Sequence, residues 1–389
     1  MIEEIKARPI LDSRGDWTLE VFVGLENGLN SKSSVPAGKS RGTHEVKSVD
    51  PEIAIKNIKK FILPKLKGLD PVNIEKIDEI LLNLDGTKDK SSLGGNTLLA
   101  VSIGCLKAGA KIKKIPLWKH LREVYSLKVG SKEKPRLFAN LINGGLHAGN
   151  NLHFQEYLII PKTKIFLDSA RIIQKIYQEL ALYLRENIGK ESINVGDEGG
   201  FAPNLDNDLE PFEIFRKVIK KNGLTEEIDF GLDSAASNLN LKNQDLSLFY
   251  RKIKEKYPLI YLEDPFGEEN FSDFSLLMKS ISKNTWIAGD DLTTTNTERI
   301  TEAAQNKSIN AIIIKPNQIG TVSETISAIK LARAEKWKII VSHRSGETVD
   351  DFIADLAFGV GADGIKLGAP ARGERIAKYN RLLQIELEK

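Results

Sequence analysis

Six ionisable residues recur through the second half of the chain at near-even spacing: Asp233, Glu263, Asp290, Lys315, His343 and Lys366, separated by 30, 27, 25, 28 and 23 positions. Each stands at the end of a short apolar run: FGLD at 230–233, LIYLED at 259–264, WIAGDD at 286–291, AIIIK at 311–315, KIIVSH at 338–343 and GIK at 364–366. The first three are carboxylates with no histidine or cysteine among them. An all-oxygen ligand set suits a hard cation, Mg²⁺ or Mn²⁺, far better than zinc. Lys315 ends the most apolar run. Burial and nearby divalent cations both disfavour an ammonium, so its pKa is expected to fall toward that of a neutral base, able to take a proton α to a carboxylate. A second cluster lies upstream, in NVGDEGGFAP at 194–203. Glycines on both sides let the backbone approach a ligand closely and aim Glu198 into a cavity. Glu156, in FQEY, supplies a second carboxyl; two carboxyls sharing a site leave one protonated, an acid available at neutral pH. A lysine base on one side and a carboxylic acid on the other suit β-elimination of water.

Those residues can meet only if the elements between them bring them to one place. Steps of this size hold one strand, one helix and two turns. Apolar runs without alternation suit strands covered on both faces, as in a parallel sheet clothed by helices. Repeating βα units over some 250 residues predict a (β/α) barrel, whose site lies at the C-terminal strand ends; an open doubly wound sheet is the structural alternative. The first third reads as mixed α and β, with a half-buried strand at 18–24 (TLEVFVG) and amphipathic helices at 51–66, 72–84 and 96–114. The second of these carries Asn73 and Asp78 on its polar face, and Gly94-Gly95 breaks the chain before the third. GSKEKP at 130–135 reads as a linker, dividing an α+β unit, 1–130, from a catalytic barrel, 131–389.

Composition narrows the function classes. Lys+Arg 56 against Asp+Glu 53 leaves +3, too balanced for a nucleic-acid or membrane-surface binder. The single cysteine, Cys105, cannot form an internal disulfide and is expected to be a buried small side chain. The start, MIEEIKARPI, has no apolar core of a secretory signal, and no apolar run approaches the roughly 18 residues of a membrane span. A soluble, cytoplasmic protein is the expectation. Gly38-Lys39-Ser40 resembles the end of a phosphate-binding GxxxxGK[ST] loop, but Ser33 stands where that pattern needs glycine. Gly144, Gly145 and Gly149 do not fit the GxGxxG dinucleotide fingerprint, and His44, His120 and His153, without metal-ligand spacing, are read as structural.

Beyond single residues, longer segments resemble the enolase family, the phosphopyruvate hydratases: LDSRG at 11–15, LGGNTLL at 93–99, NGGLHAG at 143–149, NVGDEGGFAPN at 194–204 and LEDPF at 262–266. DDLT at 290–293, IKPNQIG at 314–320, VSHRSGET at 341–348 and IKLGAPAR at 365–372 continue the match in family order. The resemblance implies a small α+β N-terminal capping domain followed by a (β/α)8 barrel with some unusual strand directions. It implies that Asp233, Glu263 and Asp290 hold a first Mg²⁺, and that Ser40 on a closing loop reaches a second. Lys315 would take the proton from carbon 2 of 2-phosphoglycerate. Glu198, with Glu156 beside it, would protonate the departing hydroxyl to leave phosphoenolpyruvate. Gln155 would contact substrate, Arg344 and Ser345 would bind its phosphate, and Lys366 its carboxylate, with His147 and His343 lining the pocket. Members are dimers or larger homo-oligomers acting in glycolysis and gluconeogenesis.

Three departures from the family pattern stand out. Asp16-Trp17 replaces Asn-Pro, the closing loop at 36–42 reads PAGKSRG with Lys39 and Arg41 as added charges, and the segment after Ser237 is trimmed. The added charges motivate one alternative, a diverged paralogue dehydrating another 2-substituted acid. A non-catalytic binding protein on the same fold is another. Ile-Lys-Pro-Asn at 314–317 lacks the Lys-x-Lys pair of the sugar-acid dehydratases and racemases.

Overall fold

A computed structural model describes residues 1–39, 42–130 and 134–388. The N-terminal third opens with an antiparallel sheet in the order β1 (Ile2–Leu11), β2 (Trp17–Leu25), β3 (Asn30–Ser34). Leu19, Val21 and Val23 on β2 are wholly buried beneath the helix Gly95–Lys113. Ser31 and Ser33 of β3 donate from their hydroxyls to the carbonyls of Gly104 and Ala100 on that helix, both at 2.6 Å. Polar strand residues thus meet a buried helix with both of these hydroxyls satisfied. Cys105, on the same helix, is buried and free.

The stretch read as one helix at 51–66 is helical throughout but not uniform: α-helix at Pro51–Asn57, a π turn at Ile58–Ile62, α-helix again at Leu63–Leu66. Pro64 accounts for this. It has no N–H, and its ring would meet the carbonyl four residues back, so the turn before it widens. The next helix, Ile74–Asp85, corrects a second expectation. Asp78 is not on a solvated face but fully buried. It accepts from the backbone N–H (2.8 Å) and hydroxyl (2.7 Å) of Ser323 on the barrel helix Val322–Ala334. Burial pushes its carboxyl up to about 6.

Eight strands then close into a barrel: β4 (Arg136–Asn143), β5 (Glu156–Pro161), β6 (Ile228–Asp233), β7 (Leu259–Glu263), β8 (Trp286–Gly289), β9 (Ala311–Ile314), β10 (Lys338–Ser342) and β11 (Gly364–Lys366). Pairing of β11 with β4 completes the ring, which excludes an open doubly wound sheet. All neighbours are parallel except those of β5, which runs against both β4 and β6. The lower interior is a buried apolar plug of Phe138, Leu158, Ile160, Tyr261, Ala288, Ala311, Ile313 and Ile340, with Phe138 and Tyr261 edge to face at 4.9 Å. A plugged barrel is a packed core, so chemistry is confined to its rim. No helix among the described residues is long and apolar enough to cross a membrane. Of the linker read at 130–135, residues 131–133 lie outside the described residues.

Candidate active site

One rim of the barrel gathers the strand-end groups. Asp233, Glu263 and Lys366 are the last residues of β6, β7 and β11, and Asp290, Lys315 and His343 directly follow β8, β9 and β10. Glu156 reaches this rim because β5 is reversed: it opens that strand and stands opposite Asp233 in the ladder. Glu198 sits at the tip of a tight turn closed by the Gly196 N–H donating to the Gly200 carbonyl at 2.8 Å. Gly196 is required there, since a Cβ would lie 2.5 Å from the His147 carbonyl. Across the pocket Gly368, at φ +74°, lets its backbone come where a Cβ would be 2.6 Å from the Glu198 carbonyl.

Within the rim every expected metal carboxylate takes a lysine as counter-charge. Lys366 Nζ lies 2.5 Å from Glu263, 3.1 Å from Asp233 and 3.2 Å from Glu156. Lys315 pairs with Asp290, which also accepts from Gln318 at 2.9 Å. Gln155 donates to Asp233 at 3.3 Å. Asp233, Glu263 and Asp290 face one another across these lysines rather than meeting at one point. The tightest groupings are His147, Glu156 and Glu198, and Asp264, Asp290 and Asp291, each with ligand atoms within 4.8 Å of one another. Asp233, Glu263 and Asp290 nevertheless fit a hard cation: all three offer carboxylate oxygens, and Glu263 Oε1 is buried with no hydrogen-bond partner. Burial, then the charge of Asp233, push the Glu263 carboxyl up to about 8, and burial with Asp290 does the same for Asp291. So costly a concentration of carboxylates suits a site built for added positive charge.

The charges of these groups are set by their neighbours. Among the protein's own groups, burial opposes the Lys315 ammonium, but Asp290 and Glu263 outweigh it and hold its pKa above the ordinary lysine value. The proton shared by the glutamate pair rests on Glu156, which burial and the charge of Glu198 raise well above the usual range. Burial also opposes the Glu198 charge, yet His343, His147 and Arg375 together hold that carboxyl well below it. Glu198 accepts from Asn140 at 3.0 Å and faces His147 Nδ1 and His343 Nε2, each at 3.5 Å.

The N-terminal region closes over this rim. Ala37 and Gly346 exchange backbone hydrogen bonds of 2.8 and 2.9 Å. Arg344, buried, grips Glu45 through two contacts of 3.1 and 2.9 Å. The Ser345 hydroxyl accepts from the Lys39 N–H at 2.8 Å and faces Arg14 at 3.5 Å. Lys39 Nζ reaches Asp197, next to Glu198, at 3.4 Å. A cavity of about 730 Å³ lined by Ser13, Arg14, Asp16, Gly38, Lys39, Asp197 and Arg372 forms the mouth above the buried groups. Ser40 and Arg41 lie outside the described residues. His44, His120 and His153 stay away from the rim: His44 meets Glu269 at 2.7 Å, His153 meets Asp208 at 2.7 Å, and His120 is buried against Gly109.

Sequence reasoning missed several rim residues. Glu45 lies 299 positions from the arginine it pairs with, and no local pattern announces such a partner. Asp264 and Asp291 were visible as the second acid of Glu263-Asp264 and Asp290-Asp291, a doubling that could have marked them. Asn140 and Arg375 carried no signal.

Comparison with known proteins decides the family. The family model described as "Enolase, C-terminal TIM barrel domain" matches residues 132–389, and "Enolase, N-terminal domain" matches residues 2–121. The chain belongs to the enolase family. Enolase B of Dictyostelium discoideum is 41% identical over 422 aligned positions, covering 100% of this chain and 95% of the relative. The enolase of Methanocaldococcus jannaschii is 41% identical over 409 positions with the same coverage. That of Solanum lycopersicum is 38% identical over 426, again covering 100% and 95%. Enolases are carbon–oxygen lyases, and this chain is one of them. The alignments run longer than its 389 residues, so the relatives carry segments this enolase lacks; here a short turn at Ala236–Asn238 leads within a few residues to the helix Asn243–Lys256.

Proposed function

We propose that the protein catalyses the reversible, Mg²⁺-dependent dehydration of 2-phosphoglycerate to phosphoenolpyruvate in glycolysis and gluconeogenesis. The observation that carries this reading is positional. Lys315 follows β9 and Glu156 opens β5, four strands apart in an eight-strand ring and hence diametrically opposed; Glu198, on the loop beyond the helix Phe166–Asn187 that follows β5, lies within 4.8 Å of Glu156. A substrate seated between them meets a base on one face and an acid on the other, as β-elimination requires.

Two Mg²⁺ ions, one on Asp233, Glu263 and Asp290 and a second reached by Ser40, would offset the negative charge that gathers on the substrate carboxylate as its α-proton leaves. Lys315, once Asp290 is engaged elsewhere and its own ammonium proton has passed to solvent as the substrate enters, takes the proton from carbon 2. The electron pair moves into the carbon–carbon bond and the hydroxyl departs from carbon 3. Glu198 gives that hydroxyl a proton, releasing water. The proton held by Glu156 would pass to Glu198 through one water, oxygens of the two carboxyls lying within 4.8 Å. Lys366 faces the substrate carboxylate, Gln155 and His147 orient the substrate, and Arg344 with Ser345 receives the phosphate, His343 completing the wall. Water is excluded by burial: Glu198, Glu263, His343 and Lys366 are each at most 2% exposed.

In this reading residues 1–130 form the capping unit and 131–389 the catalytic barrel, and the protein works in the cytoplasm as a homodimer or larger homo-oligomer without nucleic-acid or membrane partners. Lys39 at the mouth favours one second reading, a paralogue acting on another 2-substituted acid. The test is the Mg²⁺-dependent rise in ultraviolet absorbance as purified protein converts 2-phosphoglycerate, with a chelator control and a panel of other 2-substituted acids. A fast, chelator-sensitive rise supports the proposal; a better substrate elsewhere in the panel transfers it to the paralogue.

A further inference from the structure

Arg375, in the first turn of the helix Gly373–Leu387, is the largest of the fully buried side chains. Its guanidinium meets no carboxylate head-on. Its nearest, Glu374, is 3.4 Å from Nε. Instead it spends its donors on one end of the site: His343 Nδ1 at 2.6 Å, the Arg344 carbonyl at 2.6 Å, the Ser345 carbonyl at 2.7 Å and the Asp197 carbonyl at 3.3 Å. One planar group therefore ties the strand-end segment 343–345 to the turn that carries Glu198. A buried cation held by a single ion pair of 3.4 Å is expensive to keep, and its hydrogen bonds all go to the segments that carry the site groups.

The chemistry of the contact with His343 has one solution. A guanidinium carries only donors, so Nδ1 must accept, and the hydrogen of the uncharged ring must sit on Nε2. That atom is buried, has no hydrogen-bond partner, and faces Glu198 Oε2 at 3.5 Å. We propose that Arg375 is a positioning residue that holds His343 as the Nε2–H tautomer and turns this N–H toward Glu198 and the departing hydroxyl. The geometry is backed by charge: burial, Arg375, Lys366 and Lys315 outweigh Glu198 and keep the His343 ring uncharged. Without Arg375 the ring is free to carry its hydrogen on Nδ1, leaving Nε2 a lone pair that repels the Glu198 carboxylate. The proposal rests on the reading of Glu198 as the acid, but the tautomer can be measured without any substrate.

The experiment is ¹⁵N–¹H correlation of histidine-labelled full-length protein, in which only five histidines contribute and loss of one set of signals in His343→Gln assigns His343. The wild type is expected to show His343 protonated at Nε2 alone. Arg375→Met is expected to show the Nδ1–H form, a mixture, or a charged ring, with kcat lower by about ten- to a hundredfold, the usual cost of removing a histidine's orienting partner, and KM little changed. Arg375→Lys, which keeps one donor and the charge, is expected to retain the tautomer and recover part of kcat; it also decides the matter if the methionine variant does not fold. A wild-type ring protonated at Nδ1, or an unchanged tautomer in folded Arg375→Met, overturns the proposal. Wild-type protein inactive on 2-phosphoglycerate yet showing the Nε2–H ring would instead sink the functional reading and leave the positioning role standing.

Discussion

Lys315 and Glu198 are asked to do separate jobs, and substitutions can separate them. Lys315→Ala should abolish exchange of the carbon-2 proton with solvent and lower dehydration by at least the roughly 10²–10⁴-fold typical of a lost general base. Glu198→Gln should block dehydration to a similar degree while leaving carbon-2 exchange measurable, because the base and its counter-charges are untouched. Isotope exchange followed by mass spectrometry, beside the absorbance assay, reads both steps. Loss of both activities in Glu198→Gln would contradict the assigned division of labour. The identities of these residues were legible from strand-end spacing and glycine-flanked turns. Their protonation was not. The ammonium on Lys315 and the proton on Glu156 follow from Asp290, Glu263 and Glu198 standing beside them, neighbours assembled from different strands.

Among the elements, the helix Ile74–Asp85 makes a contact that pH should expose. The Asp78 carboxyl is raised to about 6, so the folded chain binds this proton more tightly than the unfolded chain does. Its stabilising share is therefore fully present below about pH 4 and lost as pH rises through 6. Asp78→Asn, which cannot ionise, should melt higher than wild type at pH 7–8 by an amount on the order of 1–3 kcal/mol, with the difference vanishing near pH 4. Thermal melts across that range check it; a variant less stable at pH 8 than wild type would show that the ionised form is the one the Ser323 contacts favour. The closing loop makes a smaller prediction. Lys39 and Asp197 are both partly exposed, and such pairs contribute about 0.2–1 kcal/mol. Lys39→Ser should thus shift KM by no more than about fivefold at low salt, and less at high salt. A larger effect on KM would place Lys39 on the substrate itself. The elements also show why β4 and β5 escaped the spacing argument: β4 ends in Asn143, and β5 carries its ionisable residue at its start because it is reversed.

Taken whole, the molecule concentrates carboxylates at one rim and balances them with Lys315 and Lys366, so bound Mg²⁺ should stabilise the folded state. At a hundredfold excess over its dissociation constant a ligand adds about 2.7 kcal/mol. Titrating Mg²⁺ should raise the melting temperature, chelator should reverse it, and Glu263→Gln should blunt the shift. An Mg²⁺-insensitive melt of the wild type would remove those carboxylates from consideration as ligands. Much of this protein was readable along the chain: the repeating βα units, the acids and lysines that end them, the N-terminal α+β unit and the family resemblance. All of these are local patterns, set by how side chains partition between core and water within a few turns of backbone. Which groups share a charge, a proton or a hydrogen was decided by the fold. Arg344 meets Glu45, Lys366 meets Glu156, and Arg375 meets His343, pairs separated by 299, 210 and 32 positions. Electrostatics and hydrogen bonding act over a few ångströms of space, and only barrel closure, with one strand reversed, sets those distances.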